Sequence, residues 1–146
     1  MNQLALRYEY DASHTDPTLS RDDFGRLSLA VETGRFSGRG GFWVQWQEVI
    51  EFGHALSAYP ISAEKPLLAQ WGYEKLEGDE LILRIEIGPK DSLGELIVRV
   101  EIADYHEPWK RVRTLFPTGY PALELFQRDI AKVMAGEAEV AILLGH

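Results

Sequence analysis

Leu81-Ile82-Leu83-Arg84-Ile85-Glu86-Ile87 and Leu96-Ile97-Val98-Arg99-Val100-Glu101-Ile102 are near copies of each other. Each places a row of aliphatic side chains on one face and an Arg and a Glu two apart on the other, the period-two pattern of a half-buried antiparallel strand. Their charges choose a register. If Arg84 faces Glu101, then Ile85 faces Val100 and Glu86 faces Arg99, and both charged contacts are favourable. A slip of two residues opposes Arg84 to Arg99 or Glu86 to Glu101, and forfeits about 0.2 to 1 kcal/mol per cross-strand pair. The turn then centres on Ser92 and Leu93, with Gly94 available for a positive φ. The flanking residues do not repeat, so two neighbouring strands are solving one packing problem rather than forming units of a solenoid.

Outward from this pair, the alternation of Leu4, Leu6, Tyr8 and Tyr10 predicts a first strand, and the Ser-, Thr-, Pro- and Asp-rich stretch 11–23 a loop. Leu27, Leu29 and Val31 predict a second strand. Gly34, Gly38, Gly40 and Gly41 then read as a turn, and 41–45 as a returning third strand. From Trp46 the period becomes helical, with Val49, Ile50, Gly53 and Leu56 on one stripe and Pro60 as the stop. Gly53 inside a helix costs about 1 kcal/mol against Ala, which points to close approach of a strand or a large ring. Residues 67–74 predict a strand, as do 109–116 between Pro108 and Pro117. A second helix follows Pro121 and ends near Gly136. Residues 138–144 fit a strand or a short helix.

The chain of 146 residues has 45% hydrophobic and 26% charged residues and shows no internal change of composition, so residues 1–146 are expected to form a single globular domain. With no cysteine, disulfides, thiolate catalysis and Cys-based metal sites are excluded. Neither a leader-like basic start with an apolar run nor a membrane-length apolar stretch is present, and a cytoplasmic location is expected. Fifteen Lys and Arg stand against 23 Asp and Glu, a formal net charge of -8 shared by both halves of the chain. Such a field repels phosphate backbones, so the expectation is no nucleic-acid partner and, if any, a basic protein.

Motifs that would carry chemistry are sparse. Glu51 and His54 share a helical face, but a carboxylate-bridged metal site needs that motif twice. Asp11, His14 and Asp16 cluster in the loop stretch. His106 stands between Asp104 and Glu107, where a general acid or base could act if a nucleophile or polarising group lay within reach. Gly38-Arg39-Gly40-Gly41 lacks the helix that a phosphate loop feeds. Lys110, Arg111 and Arg113 beside Trp109 have the basic and aromatic interleaving of a single-strand binder, which the overall charge opposes. No catalytic, metal or cofactor residues are assigned and no cofactor is expected.

The aromatic residues say more. Alternation through Phe42-Trp43-Val44 sends Trp43 outward, and Ile82 and Ile97 add apolar area to the charged strand face. The candidate partner interface is therefore Trp43, Ile82, Arg84, Glu86, Ile97, Arg99 and Glu101, which would also serve a homodimer.

The order of elements resembles a family. The hairpin that runs into a helix at Gly41-Phe42-Trp43-Val44-Gln45-Trp46-Gln47-Glu48-Val49-Ile50-Glu51-Phe52, a second hairpin strand Gly94-Glu95-Leu96-Ile97-Val98, then Phe116, Tyr120 and a C-terminal helix are similar to small bacterial proteins like the polymorphic-toxin immunity proteins of the WapI type. The resemblance implies an α+β domain that neutralises a toxin by contact, and transfers no site residue. The fold expected is α+β, an antiparallel sheet of about six strands with two helices packed on it. The function expected is non-enzymatic binding of a protein partner. The alternative is a small hydrolase or ligand-binding enzyme using His54 or His106 with a nearby carboxylate.

Overall fold

The structure, a computed structural model, describes residues 1–10 and 23–146. Its elements run β1 (Gln3–Tyr10), β2 (Phe24–Thr33), β3 (Phe36–Gln45), α1 (Trp46–Ala55), β4 (Leu67–Gly72), β5 (Leu81–Pro89), β6 (Glu95–Ala103), β7 (Arg111–Gly119), α2 (Tyr120–Met134) and β8 (Ala141–Leu144). The class is α+β, as the alternation and the two helical stretches imply. The eight strands form two four-stranded antiparallel sheets, β3-β2-β1-β8 and β4-β5-β6-β7, where a single sheet of about six was expected.

The repeated segments pair as β5 and β6 in the register that their charges select, with Arg84 opposite Glu101, Ile85 opposite Val100 and Glu86 opposite Arg99. Gly94 has φ 93° in the connecting turn. Their aliphatic rows face inward. Leu83, Ile85, Ile87, Val98 and Val100 join Leu4, Leu6, Leu27, Leu29 and Val31 of the first sheet and Phe52, Leu123, Phe126 and Ile130 of the helices in one buried cluster. Each such side chain fully removed from water stabilises the fold by about 1.5–3 kcal/mol.

The glycines of β3 explain why two sheets form. Gly38, Gly40 and Gly41 lie within the strand, and the turn is at Gly34. Turn chemistry was expected there, but these glycines serve packing. An added Cβ on Gly38 would stand 2.3 Å from Val112 Cγ1, and one on Gly40 2.8 Å from Ile102 Cγ2. β3 thus lies directly on β6 and β7, and side chains at these points would push the sheets apart. The helices close the core. α1 and α2 pack on each other, and the near neighbour of Gly53 is Ile130 of α2, whose Cγ2 lies 3.2 Å from where an added Cβ would stand, rather than a strand or a ring.

Strand limits shift where the sheet edge permits. β7 runs through Pro117, because an edge strand can lose one N–H donor without breaking a ladder. Trp109 falls outside that strand. α1 ends at Ala55, and Leu56, Ser57 and Ala58 each donate to a carbonyl three residues back, tightening the chain before Pro60. Residues 141–144 are a strand, paired with β1. The buried Thr118 hydroxyl of β7 donates to the Leu144 carbonyl at 2.7 Å and so ties β8 to the second sheet.

Candidate functional site

The outer face of the first sheet carries Arg7 on β1, Arg26, Ser28 and Ala30 on β2, and Arg39, Gly41 and Trp43 on β3. Register sets Arg7 opposite Ser28, Ala30 opposite Arg39, and Arg26 opposite Trp43. Ala5, Ser28, Ala30 and Gly41 make a floor of small residues, and Arg7, Arg26 and Arg39 rise around it in a groove of about 640 Å³. Among the described residues no ion pair joins any of these three arginines. Gly41 has a specific use here. A Cβ on it would stand 3.0 Å from the Arg26 guanidinium carbon, so its absence lets Arg26 lie flat across the sheet.

One wall of the groove is the chain leaving β6, Ala103 to Tyr105. The Arg26 guanidinium carbon is 5.8 Å from the centroid of the Tyr105 ring, within the range of a cation–π contact. Tyr105 is held in turn by the Tyr73 hydroxyl, which donates to its carbonyl at 3.2 Å, and by ring contacts with Phe42 and His106. Asp104 shapes this loop. Its Oδ1 accepts the backbone N–H groups of His106 at 2.8 Å and Glu107 at 3.1 Å. Those bonds, the Glu107 one first, hold its carboxyl below the ordinary value of 3.8.

The residues expected to form an interface are divided by this architecture. Trp43 is on the first sheet, 40% exposed, whereas Arg84, Glu86, Ile97, Arg99 and Glu101 are on the outer face of the second. Ile82 is fully buried. The ion pairs on that second face also differ from simple cross-strand pairing. Glu101 takes Arg111 at 2.6 Å, and Arg84 approaches its own strand neighbour Glu86 at 3.8 Å.

Among the described residues the histidines do not assemble a catalytic constellation. Glu51 lines a cleft between α1 and β4, while His54 lines a separate cleft between α1 and α2. At His106 the adjacent carboxylates are engaged, Asp104 by backbone N–H groups and Glu107 by Lys110 at 3.0 Å. The Asp11, His14 and Asp16 cluster lies outside the described residues. Among the described residues no group of three or more His, Asp or Glu is placed to hold a metal.

Arg7, Arg26 and Arg39 were missed by sequence reasoning because total charge hid their placement. The strands carry seven arginines, at 7, 26, 39, 84, 99, 111 and 113, against five glutamates, and are net positive by two. With -8 overall, the remaining chain therefore carries -10. The signal was present in the alternation of β2 and β3, but the reading of the β3 glycines as a turn removed Arg39 from the sheet.

No family model matches this chain, and no curated protein does. Solved structures do match. One described as the plant transcriptional regulator PBF-2 is 15% identical with a TM-score of 0.48, covering 93% of this chain and 79% of that one. WHY1 from Arabidopsis thaliana is 16% identical with a TM-score of 0.49, covering 92% and 78%, and WHY3 from the same plant is 16% identical with a TM-score of 0.44, covering 92% and 80%. The likeness concerns the arrangement of elements and assigns no residue.

The matches and the geometry revise several expectations. None of the matched structures is described as a toxin immunity protein, and the WapI-type resemblance is withdrawn together with the non-enzymatic capture of a basic protein partner built on it. The charge gives no support either, because the second sheet's outer face presents four arginines against Glu86, Glu95 and Glu101 and is not an acidic surface for a basic partner. The hydrolase alternative falls with the dispersed histidines and carboxylates. The homodimer surface is not continuous, since Trp43 and Ile97 lie on different sheets and Ile82 is buried. The exclusion of nucleic acid is also withdrawn, for it rested on total charge, and the arginines are gathered on the strands. No helix among the described residues is long and apolar enough to cross a membrane.

Proposed function

We propose that the outer face of the β3-β2-β1-β8 sheet binds single-stranded nucleic acid. The observation that carries this reading is the groove itself: three arginines on three neighbouring strands, without ion pairs among the described residues, around a floor of small side chains. Guanidinium groups donate in a planar fork that matches phosphate oxygens. Neighbouring strands lie about 4.8 Å apart, so head groups spread over three strands can meet successive phosphates of an extended polyanion. The floor of Ala5, Ser28, Ala30 and Gly41 gives unpaired bases a flat surface, and the Tyr105 ring stands at its wall. A duplex would need a helix or a projecting ribbon to enter its major groove, and this surface is a concave sheet. A cytoplasmic location belongs to the same reading, supported by a cysteine-free chain suited to a reducing compartment.

Fluorescence anisotropy of a labelled single-stranded oligonucleotide tests it. The protein binds weakly at low salt, and log K falls against log salt with a slope of about -2, as three phosphate contacts on a single strand give. Replacing Arg7, Arg26 and Arg39 together by Ala lowers affinity at low salt by about tenfold or more while the thermal midpoint stays near that of the parent. An oligonucleotide that does not bind the parent protein, or that binds the triple variant equally well, overturns the proposal.

A further inference from the structure

The outer face of the second sheet holds a different arrangement of charge. Across β5, β6 and β7 one row reads Arg84, Glu101, Arg113 and the next reads Glu86, Arg99, Leu115. Opposite charges alternate, yet the pairs are not closed locally. Glu101 is drawn aside to Arg111 at 2.6 Å, and Arg111 is fixed there by its second nitrogen, which donates to the Gly78 carbonyl at 3.0 Å. Glu86 meets Arg84 only at 3.8 Å. Arg99 and Arg113 are exposed and make no ion pair among the described residues.

Two further features bear on the same spot. Arg84, Arg99 and Arg113 line a concavity of about 400 Å³ with Thr114 and Leu115. The Arg84 Nε is buried without an acceptor, one of two such side-chain atoms among the described residues. An enclosed donor without a partner destabilises the unliganded state, and an anion that draws the guanidinium toward it would relieve that.

We infer that this concavity is a binding site for a compact phosphate group of high charge, such as a diphosphate, held by Arg84, Arg99 and Arg113. It differs from the groove on the first sheet in kind. There the arginines surround a floor of small residues in a groove of about 640 Å³, whereas here Glu86 and Glu101 line a hollow of about 400 Å³ beside the three arginines, so an anion of higher charge is needed to outweigh the carboxylates. The inference does not rest on the nucleic-acid reading, because it concerns the opposite sheet and a small ligand.

Isothermal titration with inorganic pyrophosphate provides the test, on the whole chain. The parent protein binds pyrophosphate at a single site, and R99A/R113A lowers that affinity by about tenfold or more, which is 1.4 kcal/mol or more of binding free energy. The first-sheet variant R7A/R26A/R39A keeps it. Both variants alter surface side chains, and equal thermal midpoints establish that they fold. Absence of binding by the parent at millimolar pyrophosphate, undiminished binding by R99A/R113A, or an equal loss in R7A/R26A/R39A each overturns the site. Loss of oligonucleotide binding alone leaves it standing, so the two proposals fail separately.

Discussion

Thr118 shows how one hydroxyl can join parts of the fold that hydrophobic burial alone does not align. It is fully buried on β7 and donates to the Leu144 carbonyl of β8, so the last strand is linked to the second sheet as well as to its ladder with β1. Replacement by Val keeps the shape and removes that hydrogen bond, and T118V should lower the free energy of urea unfolding by about 0.5–1.5 kcal/mol. T118S, which keeps the hydroxyl, should recover most of it, and equal losses in both would show that the methyl group matters instead. Asp104 acts by charge at the groove wall. Its folded pKa is depressed, so its support of the loop is complete above the ordinary value of 3.8 and is lost as pH falls through the lower folded value. The side-chain carboxyl carbon resonance of Asp104 should therefore titrate with its midpoint below that ordinary value, and a midpoint at or above it would remove this role. Neither residue was visible as important in the sequence, since a Thr in an alternating strand and an Asp before a turn are commonplace until their acceptors are known.

At the level of elements, the sequence was most informative where charge and apolarity agreed. The register of β5 and β6 followed from two arginines and two glutamates, because one wrong step opposes like charges. It was least informative at glycines, whose meaning depends on what lies above them. Gly38, Gly40 and Gly41 resembled a turn, but the first two permit contact between sheets and the third makes room for Arg26, and Gly53 resembled a site of strand or ring packing but faces Ile130 on α2. The two kinds should respond differently to alanine. At Gly40 the new methyl would meet the stiff branched Ile102 at 2.8 Å and the Ala103 carbonyl at 3.3 Å, in a strand clamped between β2 and the opposite sheet. G40A should destabilise by about 1–3 kcal/mol, the usual cost of overpacking. At Gly53 the contact with Ile130 Cγ2 is 3.2 Å, a few tenths of an ångström too close, while alanine gains about 1 kcal/mol of helix propensity. G53A should thus change stability by less than about 1 kcal/mol. Denaturant midpoints for the two variants compare them directly, and a G53A loss as large as that of G40A would mean that the helix pair is as tightly clamped as the sheets.

For the whole molecule, net charge is a poor guide because it sums over surfaces that face different ways. The -8 of the sequence is real, yet the strands are net positive by two and most of the acids are carried by helices and connections. The composition could exclude cysteine chemistry, but it could not exclude an anionic ligand, since a sum contains no positions. This separation has a kinetic consequence. Glu48 and Glu51 on α1 are exposed and do not line the first-sheet groove, so they act on an approaching oligonucleotide only through the long-range field. Neutralising both, as E48Q/E51Q, should raise the association rate at low salt by a factor of about two to three, and the gain should vanish near physiological salt, where the screening length is about 8 Å. The slope of log K against log salt should not change, because no phosphate contact is made or lost. R26A should instead reduce that slope by about 0.7, the share of one phosphate on a single strand. Stopped-flow anisotropy over a salt series separates the two effects. If E48Q/E51Q altered the slope, α1 would be touching the strand, and the assignment of the binding face to β3, β2 and β1 would have to be abandoned.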